Sequence, residues 1–265
     1  MKKGRVSFLF LVVSVLVLSI FLSFSTKDVR AEGILDQLDI DVEISGTLDF
    51  YSDYVWRGFV LDRDPVFQPG ISISAAGFTY SFWSSWDASN NSGSSESDEI
   101  DHVIDYTLSL NDLVSLSVGN TYYDFPSANT YSKEFYVGVG FSKIPVLDLP
   151  IETSLTFYRD YGNQNNGGGL GNYVSLDCSY SYPLFDEPEV TLDLGTHFGY
   201  NRKLFIAGTS GYDLGLSCGL TIPLKDNITV SPSLNYSIPF SDLEDSADGN
   251  QYKRFYSGIS IAYSF

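Results

Sequence analysis

The 265-residue chain is poor in several residue types: it has two cysteines, two histidines and one methionine. After Glu32 no stretch stays apolar for the ~20 residues that a membrane-spanning helix needs. With so few thiols and imidazoles there is no zinc-type ligand spacing, and no glycine-rich phosphate loop is present, so neither a metal nor a cofactor is expected. Basic residues are also scarce, 15 against 33 acidic, for a net charge of -18. An acidic surface of this kind repels nucleic acid and favours cations. If the mature chain enters a membrane, it must do so as a closed barrel, because only helices and closed barrels satisfy every backbone group in lipid.

What is abundant is aromatic. Tyr and Phe occur 19 times each, while the mean hydropathy is -0.01 and 43% of residues are hydrophobic. Aromatic excess over aliphatic helix formers points to an all-β chain. Twelve stretches alternate apolar with small or polar residues, near 40–61, 66–76, 78–88, 99–110, 113–125, 133–142, 150–160, 172–182, 189–200, 211–222, 228–240 and 253–265. In the last, Phe255, Ile259, Ile261, Tyr263 and Phe265 share one phase, and Tyr256, Gly258, Ser260, Ala262 and Ser264 the other. Side chains of a strand point alternately to opposite faces, so each stretch faces two different environments.

Residues 1–31 have the form of a secretory signal peptide. Lys2, Lys3 and Arg5 precede an apolar run from Ser7 to Phe24, and Val29-Arg30-Ala31 supplies a cleavage site. A retained N-terminal anchor is the alternative. Cleavage leaves a mature charge of -22, a short periplasmic segment at 32–39 and the body of the chain at 40–265.

The connections sort by length. Ala76-Gly77, Asn111-Asp112, Lys143 to Leu149, Pro183 to Pro188 and Pro223 to Asn227 are tight or contain proline. Ser89 to Asp98, Pro126 to Ser132, Tyr161 to Gly171, Asn201 to Ser210 and Ser241 to Tyr252 are mostly longer and polar. An even strand number with short turns at one end and long loops at the other predicts a closed antiparallel up-and-down transmembrane β-barrel of twelve strands in the outer membrane. Aromatics near the ends of the apolar phases, such as Phe198, Tyr200, Phe240 and Tyr263, fit interfacial girdles. In a soluble β-sandwich the same rings would form a core.

Twelve strands lie between a barrel filled by its own side chains and one that holds a channel, and inward Ser, Gly and Thr cannot fill the difference, so a wet lumen is expected. The inward phase collects Asp49, Asp53, Asp87, Asp105, Glu152, Asp177, Asp193 and Asp213, with Arg57 and Arg254 as basic partners. Carboxylates along a narrow pore predict cation preference, although any one of them can instead stiffen the wall through hydrogen bonds. Inward Tyr51, Tyr123, Tyr136, Tyr158, Tyr173 and Tyr256 either constrict the lumen or offer stacking surfaces to polar solutes. The expected partners are outer-membrane lipid and lipopolysaccharide, small hydrophilic solutes, and the barrel-assembly machinery acting on the strand that ends at Phe265. Nucleic acid is not expected.

The most specific local signal is Ser52-Asp53-Tyr54-Val55-Trp56-Arg57-Gly58-Phe59, followed by Asp64-Pro65-Val66-Phe67-Gln68-Pro69-Gly70, Gly77 to Ser85, and Glu99-Ile100-Asp101. These segments resemble the TorF-family porins over about the first half of the mature chain, with Val60 standing where the family has a small hydroxyl residue. The resemblance implies a small exported outer-membrane barrel and names no substrate. Read as one strand, the motif places Asp53 and Arg57 on the same face ~13 Å apart, too far to pair with each other, and turns Tyr54 and Trp56 toward lipid. Closure of the first strand on the last makes Arg254 a partner for Asp53, and Gly58 allows a bend into the first outer loop.

Two cysteines in an exported protein ordinarily suggest a disulfide. Here Cys178 and Cys218 fall in the lipid-facing phase of two strands separated by a third, ~9–10 Å apart, so two free thiols are expected. Catalysis has little support. Asp101-His102 is the one acid-histidine neighbour pair, and it lacks an identifiable second carboxylate pair opposite. The acidic runs at Glu96 to Asp101 and Asp242 to Asp248 read as solvated charge. A passive channel leads, with a structural or adhesive barrel acting through its outer loops next and an outer-membrane hydrolase third.

Overall fold

The computed structural model describes residues 41–88, 97–144, 150–206, 208–225, 227–244 and 251–265. The signal-peptide and N-terminal segments expected at 1–31 and 32–39 lie outside these residues. Twelve strands form the closed barrel: β1 (Val42–Tyr51), β4 (Val66–Ala75), β5 (Phe78–Asp87), β6 (Ser97–Ser109), β7 (Val114–Phe125), β8 (Thr130–Phe141), β9 (Glu152–Asp160), β10 (Asn172–Asp186), β11 (Glu189–Arg202), β12 (Gly211–Lys225), β13 (Ile228–Ser241) and β14 (Arg254–Ser264). Each pairs antiparallel with its neighbours in sequence, and β1 closes the ring on β14, with Ser45 opposite Ser264 and Tyr51 opposite Gly258. Closure leaves the barrel sheet itself without a free edge, which a strand protein needs in lipid.

The apolar phase faces outward. Ile71, Ile104, Leu116, Leu155, Leu176, Leu216 and Leu234 are all exposed, Ile104 at 61%. The inward phase is polar. Among the described residues only Phe59, Val66, Tyr173, Leu204 and Leu243 are buried hydrophobics, whereas fifteen polar or charged residues are buried. A sandwich would invert this distribution, because its greasy phases would meet between the sheets. The structure therefore excludes the sandwich and gives a barrel with oil outside.

The tight turns lie at one end. Ala76 and Gly77, both at positive φ (51° and 85°), make the two-residue hairpin between β4 and β5, the geometry that matches strand twist. The longer connections share the other end, called here the loop end.

One element departs from expectation. The stretch 40–61 is not one strand: β1 stops at Tyr51, and the chain bends at Ser52-Asp53 into a separate hairpin of β2 (Tyr54–Trp56) and β3 (Phe59–Asp62). Its turn is Arg57-Gly58, again with both residues at positive φ (48° and 81°). Tyr54 and Trp56 continue the alternation of β1 well enough to hide the turn. The hairpin folds into the mouth of the barrel, and Tyr54 and Trp56 pack inside it rather than against lipid. Gly58 fits because a Cβ there would lie 2.6 Å from Leu243 and 2.7 Å from the Cβ of Asp213.

Candidate functional site: the lumen and its hairpin

The wall positions of the inward phase fall inside the barrel. Asp49, Asp105, Glu152, Asp177, Asp193 and Asp213 project inward from β1, β6, β9, β10, β11 and β12. Asp87, fully buried, ends β5. Hydrogen bonds tie many of these carboxylates into the wall. Asp193 accepts from Ser181 at 2.6 Å and Thr221 at 2.7 Å, and Asp105 accepts from the Tyr136 hydroxyl at 2.6 Å. One oxygen of Asp49 is buried without a hydrogen-bond partner.

The inward tyrosines form two groups. Tyr136, Tyr158 and Tyr173 make a row from β8 to β10, with ring centroids 5.5 and 6.0 Å apart, while Tyr51 and Tyr256 meet at 6.3 Å across the closure seam. Tyr136 and Tyr51 lie flat where glycines face them. A Cβ at Gly119 would run into the Tyr136 ring, and one at Gly258 into the Tyr51 ring. With these glycines the rings hug the wall instead of crossing the lumen, so constriction falls to another element.

That element is the hairpin. Arg57 at its tip donates two parallel hydrogen bonds to Glu134 on β8, at 2.7 and 2.8 Å. The guanidinium also sits over the rings of Tyr158 at 4.2 Å, Tyr173 at 4.4 Å and its own neighbour Trp56 at 4.5 Å. Tyr123 adds a hydrogen bond to Glu134 at 3.1 Å. The hairpin's other contacts span the mouth. Tyr54 donates to Glu99 on β6 at 2.8 Å and packs on Trp83 of β5, and Trp56 meets Tyr123 and Phe205. The Val60 N–H donates to the Gln251 side chain at 2.9 Å. All five buried hydrophobics among the described residues lie at this end, so hairpin and loops build a small core there.

Asp53 and Arg57 do not share a strand face. Asp53 is buried in the bend after β1 and forms an ion pair with Arg254 of β14 across the seam. Arg57 reaches the opposite wall. Sequence reasoning missed Glu134, although it lies two residues before Tyr136 and so in the inward phase.

It also missed His197. On β11 this ring places Nδ1 2.7 Å from Asp177 and Nε2 2.9 Å from Asp213, with the Tyr173 hydroxyl 2.5 Å from Nε2 and the Ser175 hydroxyl 3.2 Å from Nδ1. A nucleophile triad needs serine on one nitrogen and carboxylate on the other. Here each nitrogen faces a carboxylate and the Ser175 hydroxyl donates to Asp177 instead of to the imidazole, so the cluster reads as a brace tying β10, β11 and β12 together. The pair Asp101-His102 is split: Asp101 points inward, while His102 stacks outside on Tyr80 and accepts or donates at 2.8 Å to its hydroxyl. Both cysteines are free; Thr153 donates weakly to Cys178 at 3.7 Å. Among the described residues no cluster could hold a metal ion. The residues of the acidic run at 245–248 lie outside the described part.

Below the hairpin the lumen opens into a cavity of about 690 Å³ whose lining includes Arg57, Glu152, Asp177, His197, Asp213 and Asn235. A second space of about 420 Å³ lies against Asp105, Tyr136 and Tyr158. The open part of the lumen thus lies below the hairpin, because the loop end is occupied by the turn at Arg57-Gly58.

No protein-family model matches the chain, and no curated protein matches it. Solved structures do. The chain is similar to the KdgM porin in complex with disordered oligogalacturonate (13% identity, 84% of this chain and 99% of that one, TM-score 0.53). It is similar to the NanC porin (10%, 84% and 99%, TM-score 0.50) and to an outer membrane channel from Pseudomonas putida F1 (10%, 84% and 95%, TM-score 0.51). At these identities the likeness establishes the fold, a twelve-stranded barrel of the outer-membrane porin type.

Proposed function

We propose that the chain is an outer-membrane channel for passive diffusion of small hydrophilic solutes, preferring cations, with the β2–β3 hairpin as its constriction. The observation that carries this reading is the inside-out barrel whose polar cavity of about 690 Å³ is bordered by Glu152, Asp177 and Asp213 beneath the Arg57 turn. Carboxylates in a confined space raise the local concentration of cations and exclude anions. Arg57 and Arg254 are each matched by a carboxylate, Glu134 and Asp53, so neither offsets the remaining acidic wall. The TorF-type segment at 52–59 supports membership in that porin family, and its residues build the constriction itself. KdgM, whose bound oligogalacturonate is a polyanion, shares the barrel; an acidic lumen suits the opposite charge.

Reconstitution into planar bilayers tests the reading. The expected result is discrete conductance steps with a reversal potential displaced toward potassium in a KCl gradient. Silence from both the natural protein and Arg57→Ala would leave a structural barrel, and displacement toward chloride would remove the cation preference.

A further inference from the structure

The contacts of Arg57 divide into two sets with different origins. Trp56 belongs to the hairpin, but Glu134, Tyr123, Tyr158 and Tyr173 come from four successive wall strands, β8, β7, β9 and β10, held by continuous ladders. Withdrawal of the hairpin leaves those four residues in place. What remains is a carboxylate flanked by aromatic rings: Glu134 and Tyr173 are each 1% exposed, and the Tyr158 and Tyr173 centroids are 6.0 Å apart.

We propose that Glu134, Tyr123, Tyr158 and Tyr173 form a guanidinium-binding box on the barrel wall, which Arg57 fills as a built-in ligand and which takes a guanidinium-bearing solute when the hairpin swings out. The chemistry favours guanidinium over a simple amine. A carboxylate presenting both oxygens to parallel N–H groups matches a planar fork, and two ring faces suit a flat, weakly hydrated cation, whereas an ammonium is a compact and strongly hydrated point charge. The box adjoins the cavity bordered by Asp177 and Asp213, so a cation drawn into the lumen meets it directly. The inference rests on the channel reading, names a solute class for it and makes Arg57 a competitor for its own pore's ligand.

The test is calorimetric titration of the micelle-refolded barrel with agmatine, using 1,5-diaminopentane as an amine of similar length. Arg57→Ala, which empties the box, is expected to bind agmatine at least tenfold more tightly than it binds the diamine. It should also bind agmatine at least tenfold more tightly than do the natural protein and the Arg57→Ala/Glu134→Gln double variant. Equal binding by Arg57→Ala and the double variant, no preference for agmatine over the diamine, or no binding at all overturns the proposal. If Arg57→Ala does not yield a heat-modifiable barrel on gels, Arg57→Gly, which also empties the box and suits the positive φ of this turn position, is read by the same criteria. Because binding is measured without conduction, a protein that takes agmatine and passes no current defeats the channel reading alone, and a conducting barrel that ignores agmatine defeats this one alone.

Discussion

Arg57 and Glu134 stand 77 residues apart in sequence and share two parallel hydrogen bonds across the mouth of the barrel, with side-chain exposures of only 9% and 2%. Removing one member of a buried pair strands the other charge and typically costs about 3–5 kcal/mol. Since ~1.4 kcal/mol is a factor of ten, Arg57→Ala should raise the undocked fraction of the hairpin by roughly a hundredfold or more. The Arg57→Ala/Glu134→Gln pair should recover much of that loss, because no uncompensated charge remains. Amide exchange across Tyr54–Asp62 reads the effect. Strictly additive single and double variants would contradict the coupling.

Asp242, in the turn after β13, accepts backbone N–H bonds from Ser210 at 3.0 Å and Thr209 at 2.6 Å and so ties two outer loops together. These bonds, that from Ser210 foremost, hold its carboxyl below the ordinary range. A carboxylate with a lowered folded pKa stabilises above its unfolded value, ~3.9, and loses that contribution as pH falls through the folded value. Loop protection at Thr209 and Ser210 should therefore be flat from pH 7 to about 5 and fall only below ~4. Asp242→Asn should show the weaker protection at every pH. A decline already complete at pH 5 would contradict the assignment.

Cys218 sits mid-strand on β12 among outward Leu216 and Leu234, which are 45% and 52% exposed. If that face meets hydrocarbon, a nitroxide on Cys218 in a Cys178→Ser background should collide freely with oxygen and hardly with a water-soluble nickel chelate. Power-saturation spectroscopy in liposomes gives the ratio. Strong nickel collisions would place this face in water and defeat the outward-oil arrangement.

The strand count, the closure of first strand on last and the inward or outward phase within the twelve wall strands were legible because alternation with period two is a strictly local signal and one solvent change fixes the whole set. Asp53 with Arg254 followed from closure alone. The hairpin was not legible. Tyr54, Trp56 and Phe59 are aromatic on account of a small core at the mouth, yet Tyr54 and Trp56 prolong the β1 alternation, and only Arg57-Gly58 with the phase break at Phe59 marks the turn, weakly, since arginine seldom takes a positive φ. Glu134 and His197 were reachable by phase, being in step with Tyr136 and Asp193. Their partners were not: that of Glu134 depends on which loop folds inward, and those of His197 on the register of β11 against the adjacent β10 and β12, and periodicity carries neither.

Selectivity should depend on the carboxylates that are least committed to the wall. Asp193 and Asp105 are hydrogen-bonded by wall hydroxyls, and Asp177 and Asp213 face His197, so part of their charge is offset locally. Glu152, at the start of β9, is exposed within the cavity lining. Its field acts on mobile ions rather than on a fixed partner. Glu152→Gln should therefore lower the cation-over-anion permeability ratio severalfold while leaving heat-modifiability unchanged, and Asp193→Asn should disturb the fold more than the ratio. Reversal potentials in a tenfold KCl gradient compare the variants. The effect should shrink as salt rises, because the screening length contracts from about 10 Å at 0.1 M to about 3 Å at 1 M. An unchanged ratio at low salt would mean that the mouth, not the vestibule, selects the ion.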